Sequence, residues 1–148
     1  YPDFKSQVNI LKDRHSTNPI DYINPVITRD ELIEIQQAVA MVNVEDPIYE
    51  YITRMVEMTR SHNSVELGVS PRGSLSICNM TKAHAYIQGR DYVIPEDVQA
   101  VFSDVSKHRL IMKQKARIAG VDSLTVVNEI LSNIERPAIG TGIGNKSC

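Results

Sequence analysis

The residues best suited to chemistry sit near the middle of the chain, in Glu66-Leu67-Gly68-Val69-Ser70-Pro71-Arg72-Gly73. Ser70 is a good helix N-cap. Pro71 then takes the first helical position, where its missing N–H costs nothing. Arg72 falls in the first turn and faces the positive end of the helix dipole, at a cost of about 0.3–1 kcal/mol. An anion brought to that end turns the misfit into a gain, because the free N–H groups, the dipole and the guanidinium all point at it. Gly73 keeps the next position bare, so a bulky ligand could come close. The competing reading is a surface arginine paired with Glu66, an arrangement that is common and weak.

Other residues invite chemistry less strongly. Gly140-Thr141-Gly142-Ile143-Gly144-Asn145-Lys146-Ser147 nearly spells a phosphate-binding loop, with Asn145 in place of its second glycine. Such a loop needs a strand before it and a helix after it. Here a helix and Pro137 precede it and one residue follows, so a loose tail is the better reading. His15, His62, His84 and His108 are scattered, with no His-x-x-x-His spacing and no carboxylate pair beside them, which predicts structural roles and no metal site. Cys78 lies among apolar residues and reads as a small core residue. Asp30-Glu31, Glu45-Asp46 and Glu96-Asp97 each stand at a helix start, where acids are favourable without catalysis.

The elements that must position these residues are mostly helical. Asp3 can cap a helix with Phe4, Val8 and Leu11 on one face, ending near Arg14. His15 to Ile27 is irregular, with turn pairs Asn18-Pro19 and Asn24-Pro25. Thr28 and Glu31 form a capping-box signature before a helix with Leu32, Ile35, Val39 and Val42 on one stripe. Asp46-Pro47 opens the next helix, with Ile48, Ile52, Met55, Val56 and Thr59 at helical spacing. The helix from about Pro71 to Gln88 has apolar residues on several sides, from Leu75 to Ile87. That pattern predicts a central, buried helix, stopped by Gly89 at its C′ position. Arg90 to Val93 is a short extended link able to pair with Val42–Val44. Pro95 opens a helix facing Val98, Val101, Phe102 and Val105 inward, poorly capped because Ile94 has no side-chain acceptor. A linker follows around Lys113–Gly120. Asp122 caps a last helix with Leu124, Val127, Leu131 and Ile134 in line, ended by Pro137. The expectation is one mostly α domain over residues 1–136, of about six helices with at most a small short-stranded β-ribbon. A flexible glycine-rich tail should follow over 137–148.

Composition sets the class. With 148 residues and 42% hydrophobic content the chain can bury a real core. Aromatic residues are only 5% and Trp is absent, so that core must be aliphatic. A net charge of −2 argues against a general nucleic-acid binder. No apolar run reaches the roughly 18–20 residues a membrane span needs. There is no signal-peptide pattern, and a chain starting Tyr1-Pro2-Asp3-Phe4 reads as a piece of something longer. Cys78 and Cys148 make no disulfide framework, so a reducing, cytoplasmic setting is expected.

The order of features resembles the C-terminal helical lid of MoxR-type AAA+ ATPases. The match runs through Tyr1-Pro2, Asn18-Pro19 to Pro25-Val26, Thr59-Arg60, Leu67-Gly68-Val69-Ser70-Pro71-Arg72, Gly89-Arg90-Asp91-Tyr92-Val93 with Pro95-Glu96-Asp97-Val98, and His108-Arg109-Leu110. It covers roughly Tyr1 to Ile134. The resemblance implies a lid that follows a P-loop domain and closes on ATP and Mg2+. Its sensor 2 arginine, which reaches the γ-phosphate, is by motif match Arg72, with Ser70 and Pro71 setting its helix start. It further implies a homo-oligomeric ring with a chaperone-like action on client complexes, and a von Willebrand-type domain protein as a possible partner. The phosphate loop, the Walker B acids and the arginine finger are missing here, so this stretch alone is expected neither to hydrolyse ATP nor to hold it. Two positions depart from the family. Gly73 stands where alanine is usual, which should weaken the helix start slightly. Ile94 stands where Thr or Ser is frequent. Arg60, Arg90 and Arg109 could contact the ATPase core, a neighbouring subunit or only solvent. The alternative to a lid is a freestanding helical protein-interaction module.

Overall fold

A computed structural model describes residues 1–13 and 22–137. Arg14, His15, Asn18-Pro19 and the loop-like Gly140–Ser147 stretch lie outside the described residues. Among the described residues there are seven helices: α1 (Phe4–Asp13), α2 (Arg29–Ala40), α3 (Asp46–Ser61), α4 (Pro71–Ile87), α5 (Pro95–Ser106), α6 (Gln114–Ile118) and α7 (Ser123–Asn133). A short 3-10 turn follows α5 at Lys107–Arg109. Strands β1 (Val65–Leu67) and β2 (Ile111–Met112) pair antiparallel. The chain divides into two compact units, Tyr1–Ile35 and Gln36–Cys148.

The first unit holds α1 and most of α2. Asp3 caps α1 through a 2.8 Å bond from the Ser6 N–H. At α2 the expected capping box is complete: the Thr28 N–H donates to Glu31 at 2.7 Å and the Glu31 N–H to the Thr28 hydroxyl at 3.2 Å. Neither α1 nor α2 contains a fully buried residue.

In the second unit, α3, α5 and α7 supply most of the core. α3 buries Ile48, Tyr51, Ile52, Met55, Val56 and Thr59, one stripe at three- and four-residue spacing. Its N-cap is Glu45, one residue before the expected Asp46, and Pro47 falls in the first turn. α5 turns Val98, Val101, Phe102 and Val105 inward, as its spacing predicts. α7 keeps most of its predicted stripe: Val127 is buried and Leu131 and Ile134 pack against the core, joined by Val126 and Ile130, whereas Leu124 is 46% exposed. Asp122 does cap it, accepting from the Thr125 N–H at 2.8 Å.

Helix α4 is less central than its sequence suggests. It buries Gly73, Ile77, Thr81 and Ala85, a stripe only one residue wide per turn. Leu75 (66%), Met80 (50%) and Ile87 (77%) face solvent. Apolar residues all round the helix therefore reflect one thin core stripe and separate exposed apolar residues on other sides.

The expected linker around Lys113–Gly120 holds the short α6, and just before it lies β2, whose partner β1 leads toward the start of α4. Two glycines close helices by a shared device. Gly89 (φ +75°) follows α4 and Gly120 (φ +79°) follows α6, both in the left-handed region. Each is followed by a residue whose N–H reaches back, Arg90 to the Ala85 carbonyl and Val121 to the Ala116 carbonyl, both at 3.0 Å. Beyond Gly89 the chain runs extended. Tyr92 forms a parallel bridge with Asn43, as the link's composition predicts.

Candidate functional site

The site is built around the first turn of α4. Ser70 adopts an extended backbone and caps the helix, its hydroxyl accepting from the Gly73 N–H at 3.3 Å. Pro71 takes the first position, so the start forms as its sequence predicts. What holds that start in place is Val69. Its N–H donates to the Thr59 hydroxyl at 3.0 Å, and its carbonyl accepts from Arg60 Nε at 2.8 Å. The Thr59 hydroxyl donates in turn to the Val56 carbonyl at 2.6 Å, which leaves a lone pair aimed at Val69. Gly68 lies against the Arg60 backbone, where a Cβ would meet Arg60 N and Cα at 2.7 Å. The Val69 side chain is fully buried. Both backbone polar groups and the side chain of Val69 are thus fixed by the domain, three residues before Arg72.

Gly73 does something other than keep room for a ligand. It is buried, and a Cβ built on it would stand 2.5 Å from Val69 Cγ1. The space is already filled by the valine. An alanine here would collide with a buried side chain, so the helix start does not lose stability by having glycine, contrary to the expectation from propensity alone.

Arg72 itself is exposed. Among the described residues its side chain has no hydrogen-bond or ion-pair partner, and Glu66 does not pair with it. The first turn of α4 contains no acid. Arg109 also reaches this start: it packs its Cδ 3.5 Å from the Cβ position of Gly73 and donates Nε to the Val105 carbonyl at 2.9 Å. Arg60 and Arg109 thus each touch the segment that begins α4, with Nε of both held by backbone carbonyls. Chemically this arrangement can attract and orient an anion. It presents no nucleophile and no paired acid and base.

Arg90 belongs elsewhere. The turn at Gly89 swings it over the start of α5, where it pairs with Asp97 through both terminal amines, Nη1 at 2.6 Å and Nη2 at 2.5 Å. His84 Nδ1 meets the same carboxylate at 2.8 Å, and the Ile94 N–H donates to it at 2.9 Å. Asp97 is fully buried. Burial pushes its carboxyl up, but hydrogen bonds from Arg90, the Ile94 N–H and His84 outweigh that and hold it below its ordinary range. The α5 start is thus capped from its third position: Asp97 accepts from the Ile94 N–H, and the Asp97 N–H, for which Ile94 has no side-chain acceptor, goes to the Ile94 carbonyl at 3.0 Å. Glu96-Asp97 is more than a favourable acidic start, since one of its members joins α4, the Gly89 turn and α5.

Sequence reasoning did not single out Val69, Thr59 or Asp97. A signal existed for Asp97: an apolar N-cap followed three residues on by an acid invites the acid to reach back. For Thr59 and Arg60 no local pattern points to Val69, because the contact spans ten residues across a turn. Among the described residues no cluster of three or more His, Cys, Asp or Glu could hold a metal ion. No helix among them is long and apolar enough to cross a membrane.

Comparison with known proteins identifies the family. The model of the AAA lid domain family matches residues 57–130, which span α4 and the Asp97 cluster. The chain is 37% identical to the uncharacterized protein YeaC of Bacillus subtilis over 137 residues, 93% of this chain and 43% of that protein. It is 29% identical to chaperone MoxR1 of Mycobacterium tuberculosis over 148 residues, 94% of this chain and 39% of that one. The chain spans about two fifths of the length of these relatives. A crystal structure of a putative ATPase from Cytophaga hutchinsonii superposes with a TM-score of 0.76, at 23% identity, over 93% of this chain and 44% of that one, and so shares the fold. With the helical order and the family model in agreement, the chain belongs to the AAA lid domain family.

Proposed function

We propose that this chain is the lid of a larger MoxR-type ATPase and that Arg72 is its sensor 2 residue, contacting the γ-phosphate of ATP. The observation that carries the reading is an exposed guanidinium without a partner, on a helix start that the domain holds rigidly. A side chain left free on a fixed base suits a ligand delivered from outside the lid. The residues present fit a single phosphate contact: Arg72 would hold the phosphate side of the nucleotide, and Ser70 and Pro71 set the direction of its helix. Mg2+ and the remaining phosphate contacts belong on this reading to a P-loop domain outside this chain. Bound ATP supplies the phosphoryl group for transfer. The part of this chain is to place one positive charge beside it and to exclude water as the lid closes.

On the same reading the parent assembles as a cytoplasmic homo-oligomeric ring with chaperone-like action on client complexes. A relative named as a chaperone supports this, and a von Willebrand-type domain protein is the partner the family resemblance suggests. In the full-length protein, Arg72→Ala should slow ATP turnover about tenfold or more, on the scale of losing one charge-stabilising contact. Unchanged turnover in the assembled oligomer rejects the sensor role.

A second reading, a freestanding helical interaction module, draws on the exposed Leu75, Met80 and Ile87 of α4. The genomic sequence upstream discriminates the two. Walker A and B motifs there favour the lid, and their absence favours the module.

A further inference from the structure

We propose that Arg60, together with Thr59, is a positioning residue for Arg72: it sets the sensor arginine from the end of a different helix. The inference rests on the reading of Arg72 given above and extends it to residues that touch no nucleotide.

Three observations carry it. Arg60 lies in the last turn of α3, is exposed, and among the described residues donates through Nε alone, to the Val69 carbonyl at 2.8 Å. Its neighbour Thr59 holds the Val69 N–H at 3.0 Å, so the last turn of α3 grips one peptide unit on each side of Val69. Gly68 is pressed against the Arg60 backbone, and Val69 fills the space over Gly73. Sliding α4 against α3 would break two hydrogen bonds and unseat a buried valine. Rotating Arg72 about its own χ angles would break none of these. The joint therefore fixes the base of Arg72 and leaves its tip mobile.

An exposed arginine that contributes one bond to a backbone carbonyl adds little to global stability. Its loss acts locally, by letting the Gly68–Ser70 segment relax. A small misplacement of a contacting group can cost up to about a hundredfold in rate. Relaxation at one remove should cost less, roughly five- to tenfold in kcat with little change in KM for ATP.

The test uses four forms of the full-length ATPase: unaltered, Arg60→Ala, Arg72→Ala and the double variant. ATP turnover is measured on each, with thermal melting as a check that the fold persists. The expected result is that Arg60→Ala slows turnover about five- to tenfold in the unaltered background and has no further effect once Arg72 is alanine. Arg60→Lys keeps a donor near the Val69 carbonyl and should restore part of the rate even if Arg60→Ala melts early. An equal slowing by Arg60→Ala in both backgrounds overturns the proposal, since a purely structural role acts regardless of Arg72. So does full activity of Arg60→Ala alone. In both of those cases a slow Arg72→Ala enzyme leaves the sensor reading standing. Full activity of Arg72→Ala overturns the sensor reading and this inference together.

Discussion

Replacing Asp97 with alanine should destabilise the 148-residue chain by about 3–5 kcal/mol, the range seen when one partner of a buried ion pair is removed. The magnitude follows from what the carboxylate holds. It accepts two bonds from Arg90, one from His84 and one from the Ile94 N–H, while its own side chain is 1% exposed. Alanine leaves the Arg90 guanidinium, 21% exposed, facing a cavity, and leaves the first orphan N–H of α5 unpaired. Asparagine keeps the shape and an acceptor for Ile94 but loses the charge, and should cost about 1–3 kcal/mol. Urea denaturation at pH 7 measures both, and Arg90→Met closes a double-mutant cycle whose coupling should exceed about 1.5 kcal/mol. The same carboxylate predicts a pH dependence. Its folded pKa lies below the unfolded value of about 3.9. Its contribution is therefore complete above about pH 4 and disappears as pH falls through the folded pKa. The stability gap between the unaltered chain and Asp97→Asn should accordingly narrow as pH drops below about 4. A cost under about 1 kcal/mol for Asp97→Ala, or strict additivity with Arg90→Met, would refute the reasoning that this pair is buried and coupled.

The other expectations are local. Gly73→Ala should destabilise by about 1–3 kcal/mol through its collision with Val69 Cγ1. Val69→Ala alone should also destabilise, whereas the double change should recover about 1 kcal/mol or more relative to the sum, which thermal or chemical melting of the three variants can read. Gly89→Ala meets no neighbour within 4 Å but must hold φ at +75°, so it should cost about 1–2 kcal/mol from the backbone alone. A neutral result there would mean that the Gly89 turn is not held in the left-handed region. On the proposed lid reading, Arg72→Ala and Arg60→Ala in the full-length protein carry the turnover predictions already set out, the first near tenfold or more and the second conditional on the first.

Helix identity and the helix starts at Asp3, Thr28, Ser70 and Asp122 were legible because their determinants lie within four residues along the chain. Side-chain caps, proline at the first position and glycine at the C′ position need no tertiary knowledge. Burial was legible where one apolar stripe dominates, as on α3 and α5. It was misread on α4, where apolar residues on two sides do not say which side meets the core. Leu124 shows the same difficulty at smaller scale, since a shift of two or three residues along α7 changes which of its aliphatic residues face inward. For the candidate site, Arg72 and its cap could be read directly, but the grip on Val69 could not. Hydrogen bonds from a side chain to a backbone carbonyl nine residues away leave no compositional trace. Nor does the exchange of volume between Val69 and Gly73 leave one, because each residue taken singly is unremarkable in its element.

Helix α4 is held near both ends, by Val69 below Arg72 and by the His84 contact with Asp97. The twelve residue steps from Arg72 to His84 span about 18 Å at helical rise, so a displacement of about 1 Å at the arginine equals a tilt of about 3°. A helix pinned in this way is a strut between two joints, the Ser70 turn at one end and the buried carboxylate at the start of α5 at the other. Arg90 shares that carboxylate and stands two residues before Tyr92, which bridges to Asn43 between α2 and α3. These contacts form one continuous series from the Ser70 turn, along α4 and through the Asp97 carboxylate, to the segment that joins α2 and α3.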